Sequence, residues 1–229
     1  MPNLTDIPVL EVSVLGPIST RSLGSYPTDD AEGLRRRRLI VDFVVYLALS
    51  GGETTDAIDA EFFGLTSHPS EKRRSTAMLA RRWLGQDRLP YTTRHGIMRL
   101  VNITTDWARF EHHHQRGDDG LALRFVRGQP LTGLSRHASG WADVRQAQMI
   151  ATIHQTGLAY GREQLRRENW TEARIGIKAA LAAEPTSLPA YRLVSALARH
   201  TGDHRALERS QQAQEHLGDR LHTPRYDVG

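Results

Sequence analysis

The spacing of hydrophobic and polar residues changes character along this chain. Leu10-Glu-Val-Ser-Val-Leu-Gly16 alternates apolar and polar positions, which predicts a half-buried strand ended by Gly16-Pro17. Residues 1–8 read as a loose lead-in, and residues 19–33, rich in Ser, Thr, Gly and acids, as a loop. Leu34 to Leu49 is strongly apolar after its four arginines and predicts a core helix closed by Gly51-Gly52. Thr55 to Phe63 predicts a shorter helix with Ala57, Ile58, Phe62 and Phe63 inward. A third helix is expected over 70–84. At about 100° per residue, Thr76, Ala77, Leu79, Ala80, Trp83 and Leu84 share one stripe, which makes Trp83 a core residue. Arg74, Ser75, Met78, Arg81 and Arg82 fall on the opposite side, with Ser70 as N-cap and Gly85 as the stop. Leu89-Pro-Tyr-Thr-Thr93, Arg94-His95-Gly96 and Ile97-Met-Arg-Leu-Val101 predict a β-hairpin with a tight turn.

From Trp107 to Leu217 strand signals almost vanish, and Ala and Leu recur at helical spacing. Helices are expected over Trp141 to Arg167, Trp170 to Ala183, Leu188 to Arg199 and His204 to Leu217. Asp118-Asp-Gly, Gly128-Gln-Pro, Pro185 and Thr201-Gly-Asp203 mark connections. Aligned at a period of about 34 residues, Gly161, Ala173, Ala180 and Pro185 fit the small-residue and proline positions of a tetratricopeptide unit. Tyr191 and Ser195 fit a second, degenerate one. The fold class expected is therefore mainly α with a small β component. A winged helix-turn-helix domain over 8–104 precedes an all-α, tetratricopeptide-like domain over 105–222.

Composition narrows the functional classes. A chain of 229 residues with 39% hydrophobic and 24% charged residues is that of a soluble globular protein, long enough for two ordinary domains. No apolar run approaches the roughly eighteen residues of a membrane span. Met1 to Asp6 lacks the basic-then-apolar pattern of a signal peptide, so a cytoplasmic location and no membrane partner are expected. The absence of cysteine excludes disulfides, thiolate metal sites and thiol nucleophiles.

Net charge is only +4, and 28 of the 30 cationic side chains are Arg, a bias of GC-rich genomes that weakens arginine number as a signal. The distribution of charge says more. Residues 71–109 hold nine Lys/Arg against three Asp/Glu, whereas 51–70 hold four acids and no cation. Charge is thus concentrated around the third helix, as a phosphate-binding face requires.

Strand, three helices and hairpin is the order of a winged helix-turn-helix, whose third helix enters the major groove while the wing meets backbone or minor groove. The candidate nucleic-acid-binding residues are Lys72, Arg73, Arg74, Ser75, Met78, Arg81 and Arg82 on the helix, and Arg94 and His95 at the wing tip. Arg forks suit phosphates and guanine edges, and short polar groups suit base edges. Arg35 to Arg38 are assigned an intramolecular or solvated role. His112-His-His114 cannot all face one ion from a regular element, and no Cys or carboxylate cluster completes a site, so no metal is expected. No phosphate-cradling glycine loop, Gly-x-Ser-x-Gly or outstanding acid pair occurs, so neither a cofactor nor catalysis is expected.

Six segments in order carry a family resemblance: Leu10 to Gly16, Val45-Tyr-Leu-Ala-Leu-Ser-Gly-Gly52, Ser75 to Gly85 with its Ala-Arg-Arg-Trp-Leu-Gly ending, Gly96-Ile-Met-Arg-Leu100, Asp106-Trp-x-x-Phe110, and Val126-Arg-Gly-Gln-Pro130. Over about residues 9–217 the chain resembles actinobacterial regulators of the streptomyces antibiotic regulatory protein type. These join an OmpR-like winged helix to a bacterial transcriptional activation domain of tetratricopeptide-like helices. Its Arg-Arg-Trp-Leu-Gly and Leu221-His-Thr-Pro224 segments are most similar to the C-terminal module of large actinobacterial proteins that also carry LysM or membrane segments. It departs from the pattern at Asp59-Ala-Glu-Phe-Phe63, where an apolar run is usual, and at Met98, where the wing has tyrosine.

The resemblance implies a DNA-binding transcriptional regulator. Its partners would be double-stranded DNA, RNA polymerase or another protein through the helical domain, and a second copy in a homodimer on DNA. The alternative is a protein-interaction scaffold or sensory module that keeps the winged fold without binding DNA.

Overall fold

The computed structural model describes residues 9–24, 31–92, 96–135 and 139–222. The molecule is mainly helical with a small β part. Its elements are β1 (Leu10–Val12), α1 (Ala31–Ser50), β2 (Glu53–Thr54), α2 (Thr55–Glu61), α3 (Pro69–Leu84), β3 (Ile97–Met98) and β4 (Ile103–Thr105). These are followed by α4 (Asp106–Gln115), α5 (Asp119–Leu123), α6 (Ser139–Arg166), α7 (Trp170–Ala183), α8 (Leu188–Thr201) and α9 (His204–His222). Among the described residues no helix is long and apolar enough to cross a membrane. Two compact units form: residues 1–112 with 130–147, and residues 113–129 with 148–229.

In the first unit, α1 buries Ile40 and the consecutive run Phe43 to Leu47, so it is apolar around most of its circumference and occupies the core. Phe43, Tyr46, Phe62, Phe63 and Trp141 interlock through edge-on and tilted ring contacts, with Phe62 and Phe63 centroids 4.7 Å apart. Tyr46 donates its hydroxyl to Glu61 at 3.0 Å, and burial followed by that carboxylate pushes its pKa up.

Two short sheets frame these helices. β1 runs parallel to β4, pairing Leu10 with Ile103 and Val12 with Thr105. Beyond β1 the chain folds back through Gly16-Pro17 to bridge Ser13 with Ser19, while Leu131 donates its N–H to the Val14 carbonyl at 2.8 Å. Asp106 opens α4, and its buried carboxylate accepts the N–H groups of Val14 at 2.7 Å and Leu15 at 3.2 Å.

The second sheet corrects the expected hairpin. β3 pairs antiparallel with β2, Glu53 opposite Met98 and Thr54 opposite Ile97, and Leu89 to Thr92 form no strand. Pro90 has no N–H to offer a ladder, and the Leu89 and Pro90 carbonyls are taken by the Arg81 guanidinium. Just before this segment, the Arg88 carbonyl accepts the Val101 N–H at 2.8 Å.

In the second unit, α6 and α7 cross with their backbones in contact. A Cβ built on Gly157 would lie 2.6 Å from the Gly176 carbonyl oxygen, and one on Gly176 would lie 2.7 Å from that of Gly157. Leu158, Ala180 and Ala190 fill one core cluster, and Ala173, Ile177 and Leu197 another. Small side chains at Ala173, Ala179, Ala180 and Ala183 let α7 sit close to its neighbours. Between α8 and α9 the buried Ser195 and Ser210 hydroxyls are 2.7 Å apart, and the half-buried Gln214 amide donates to Ser195 at 2.9 Å. The expected spans of α6 and α7 match closely, α8 and α9 run longer at their C-terminal ends, and the Asp118-Asp-Gly connection becomes the short helix α5.

This packing has two testable consequences. Gly157→Ala and Gly176→Ala should each lower stability by about 1–3 kcal/mol, because the added methyl meets backbone rather than a movable side chain. Gly218→Ala in α9, where a Cβ meets nothing within 4 Å, should be neutral or raise stability by up to about 1 kcal/mol in urea unfolding. The second concerns Tyr160, which donates to Glu172 at 2.7 Å and whose pKa is pushed up to about 12, first by burial and then by that carboxylate. A folded pKa above the unfolded 10.0 means that this stabilisation is whole below about pH 10 and is lost as pH rises toward 12. The urea midpoint should therefore fall more steeply over that interval for the wild type than for Tyr160→Phe.

Candidate nucleic-acid interface

The candidate face lies on α3. The helix starts one residue earlier than its sequence suggests, because Pro69 takes the first turn, where a missing N–H costs nothing. His68, not Ser70, stands at the N-cap and makes no side-chain cap bond. Gly85, at φ 89°, ends the helix as expected, and its N–H bonds to the Arg81 carbonyl at 2.7 Å.

The buried stripe is Arg73, Thr76, Ala77, Ala80 and Leu84. Trp83 is not core. It is half-buried at the edge of the stripe, and its indole N–H donates to the Gly24 carbonyl at 3.3 Å.

The arginines divide into two kinds. Arg73 is buried, and its guanidinium forks onto the Asp59 carboxylate of α2, with Nε at 2.7 Å and Nη2 at 3.3 Å. This pair fixes α3 against α2 and makes Arg73 part of the frame. Arg81 is half-buried and donates to the carbonyls of Leu89 at 3.0 Å and Pro90 at 3.3 Å, with its guanidinium 4.6 Å from the Tyr91 ring centre. Burial lowers its pKa, and Tyr91 opposes the shift. Arg81 thus orders the loop that follows the helix.

Lys72, Arg74, Ser75, Met78 and Arg82 are exposed. Ser75, Met78 and Arg82 lie at successive turns along the centre of the outward face, with Glu71 one turn before Ser75. Arg74 and Lys72 flank this line. Ser75 donates its hydroxyl to the Lys72 carbonyl at 3.0 Å, which keeps the side chain close to the helix. Arg94 and His95 lie outside the described residues.

Two exposed groups in the segment after α3 were not singled out by sequence reasoning. Arg99 is exposed just beyond β3, and Tyr91 is 68% exposed, as the face's own Met78 is 61% exposed. The signal for Arg99 was its place in the same basic stretch. Tyr91 had none, since its exposure follows from how Arg81 holds the loop. Arg36, Arg37 and Arg38 are also exposed, within α1.

Elsewhere, several titratable groups serve internal contacts. His113 stacks on Phe125, and His114 lies 2.7 Å from the Asp119 carboxylate. Among the described residues no group of three or more potential ligands could hold a metal. Burial raises the Glu111 pKa, and Arg145 opposes the shift. His154 sits between Ser187 at 2.6 Å and Glu184 at 3.4 Å, a hydroxyl–imidazole–carboxylate series invisible in the sequence. Ser187 is only 3% exposed, and its hydroxyl oxygen accepts the Ala190 N–H as the cap of α8. The series therefore anchors the start of α8 to α6.

No family model and no curated protein matches the chain.

The division between framing and outward arginines has a direct consequence for stability. Arg73→Ala should cost about 2 kcal/mol or more by stranding the Asp59 carboxylate in a partly buried site. Arg82→Ala should stay within about 0.5 kcal/mol of wild type in the same urea titration.

Proposed function

We propose that this chain is a DNA-binding regulator of transcription in which α3 is the recognition helix of a winged helix-turn-helix. The observation that carries the reading is the sorting of cations on α3. Arg73 and Arg81 are engaged by internal partners, while Lys72, Arg74 and Arg82 are left outward around the short polar Ser75 and the flexible Met78. A helix with Lys72 and Arg74 at the edges of the face and Arg82 in line with small or adaptable groups suits a phosphate-lined groove. The order α1, β2, α2, α3, β3 supports the same architecture, with residues 85–92 and β3 in the place of the wing. The resemblance to streptomyces antibiotic regulatory proteins supports it further, and assigns the tetratricopeptide-like helices α6 to α9 to self-association or contact with RNA polymerase. A cytoplasmic site of action belongs to the same reading.

A second reading, a protein-interaction module without DNA binding, draws on Glu71 at the start of the outward face and on the exposed Met78 and Tyr91. Fluorescence anisotropy with GC-rich genomic duplexes at two salt concentrations separates the two. The regulator reading expects binding that weakens steeply with salt and survives excess nonspecific competitor on some fragments. Arg74→Ala with Arg82→Ala should weaken it roughly 10- to 100-fold and flatten the salt slope by about one for each phosphate that the variant no longer neutralises. Absence of binding at low salt overturns the reading. Undiminished binding by the double variant overturns the assignment of the face.

A further inference from the structure

We propose that the groove between α7, α8 and the start of α9 is a binding site for a small amphipathic anion, an apolar body carrying one carboxylate. The groove encloses about 300 Å³ and lies within the second unit. Its floor is Ile177, Leu197 and Ala198, and Leu181 and Val194 on its walls keep part of their surface open. That volume stands at the lower end of small-ligand sites, roughly 300–1,000 Å³. It admits roughly ten groups of water size at ~30 Å³ each, which suits a short alkyl or single-ring body better than a folded partner.

The polar rim sets the sign of the ligand. Arg174 and Lys178 stand one turn apart on α7, both exposed, and neither has an ion pair among the described residues. The acid on the rim, Asp203, accepts the Ala206 N–H at 3.0 Å and so caps α9, its charge set against the positive end of that helix. The Thr201 hydroxyl donates to the Leu197 carbonyl at 3.0 Å. Two cations are thus left beside an apolar floor. A carboxylate would meet both while its hydrocarbon covers Ile177 and Leu197. The site owes nothing to α3, so it stands whether or not the chain binds DNA.

The test is an amide-resolved NMR titration of the full chain with octanoate and, separately, 1-octanol, each with about ten non-hydrogen atoms or fewer. Saturable shifts centred on Ile177, Leu197, Ala198 and Thr201 are expected, with octanoate binding at least about fivefold tighter than the alcohol. Arg174→Gln with Lys178→Gln should erase that preference and leave octanol binding unchanged. Ala206→Phe, which places a ring in the groove, should abolish both. The proposal is overturned if neither probe saturates in the groove, if acid and alcohol bind alike, or if Ala206→Phe leaves octanoate binding intact.

Discussion

The Asp106 carboxylate is 1% exposed and accepts the backbone N–H groups of Val14 and Leu15, more than ninety positions earlier in the chain. It is also the first residue of α4, where the helix dipole favours a negative charge. Thr105 immediately before it pairs with Val12 and caps the helix by accepting the Ala108 N–H. One short stretch therefore joins β1 to β4, starts α4 and satisfies two donors that no water reaches. Charge-assisted bonds of this kind are worth about 1.5–3 kcal/mol each, and their loss would leave buried N–H groups unpaired. Around this junction the remaining crossings of the first unit are fixed, including the Leu131 N–H on the Val14 carbonyl and the Ser135 hydroxyl on Asp42.

Against that frame, α3 is oriented by charge as much as by apolar burial. Its buried stripe contains only Thr, Ala and Leu beside Arg73, so hydrophobic contact alone sets its rotation weakly. The Arg73–Asp59 fork supplies a directional bond to α2, and Arg81 does the same for the following loop. A guanidinium can do this because its planar donors match a carboxylate or a pair of carbonyls in one geometry. Holding the helix by two of its arginines fixes the direction in which Arg74 and Arg82 point.

The helical unit follows a different logic. Where Gly157 and Gly176 meet, helix packing is set by backbone contact, and alanines extend the close approach. Large side chains are then fewer than the surface they must cover. Leu181 and Val194 remain part-open along the groove edged by Arg174 and Lys178. Small residues that tighten one crossing leave an apolar surface unfilled beside it.

Period and punctuation alone determined the helices α1, α3, α6 and α7, because apolar runs, Gly85 and the α7–α8 proline are local signals. Gly161, Ala173 and Ala180 were legible from the repeat period, though Gly157 and Gly176, where the backbones meet, were not; the amphipathic rotation of α3 with Arg74, Ser75, Met78 and Arg82 outward was also legible. The sequence did not disclose the partner of β3, since a two-residue strand carries too little pattern to choose between the nearer segment and β2. Nor did it disclose that Arg73 and Arg81 are engaged by internal partners. Like Arg74 and Arg82 they are cations on one helix, and what sets them apart is an acid on another element and two carbonyls in a loop. Local periodicity fixes which residues share a helix face; which of their charges remain available is decided by contacts between segments that only the tertiary structure brings together.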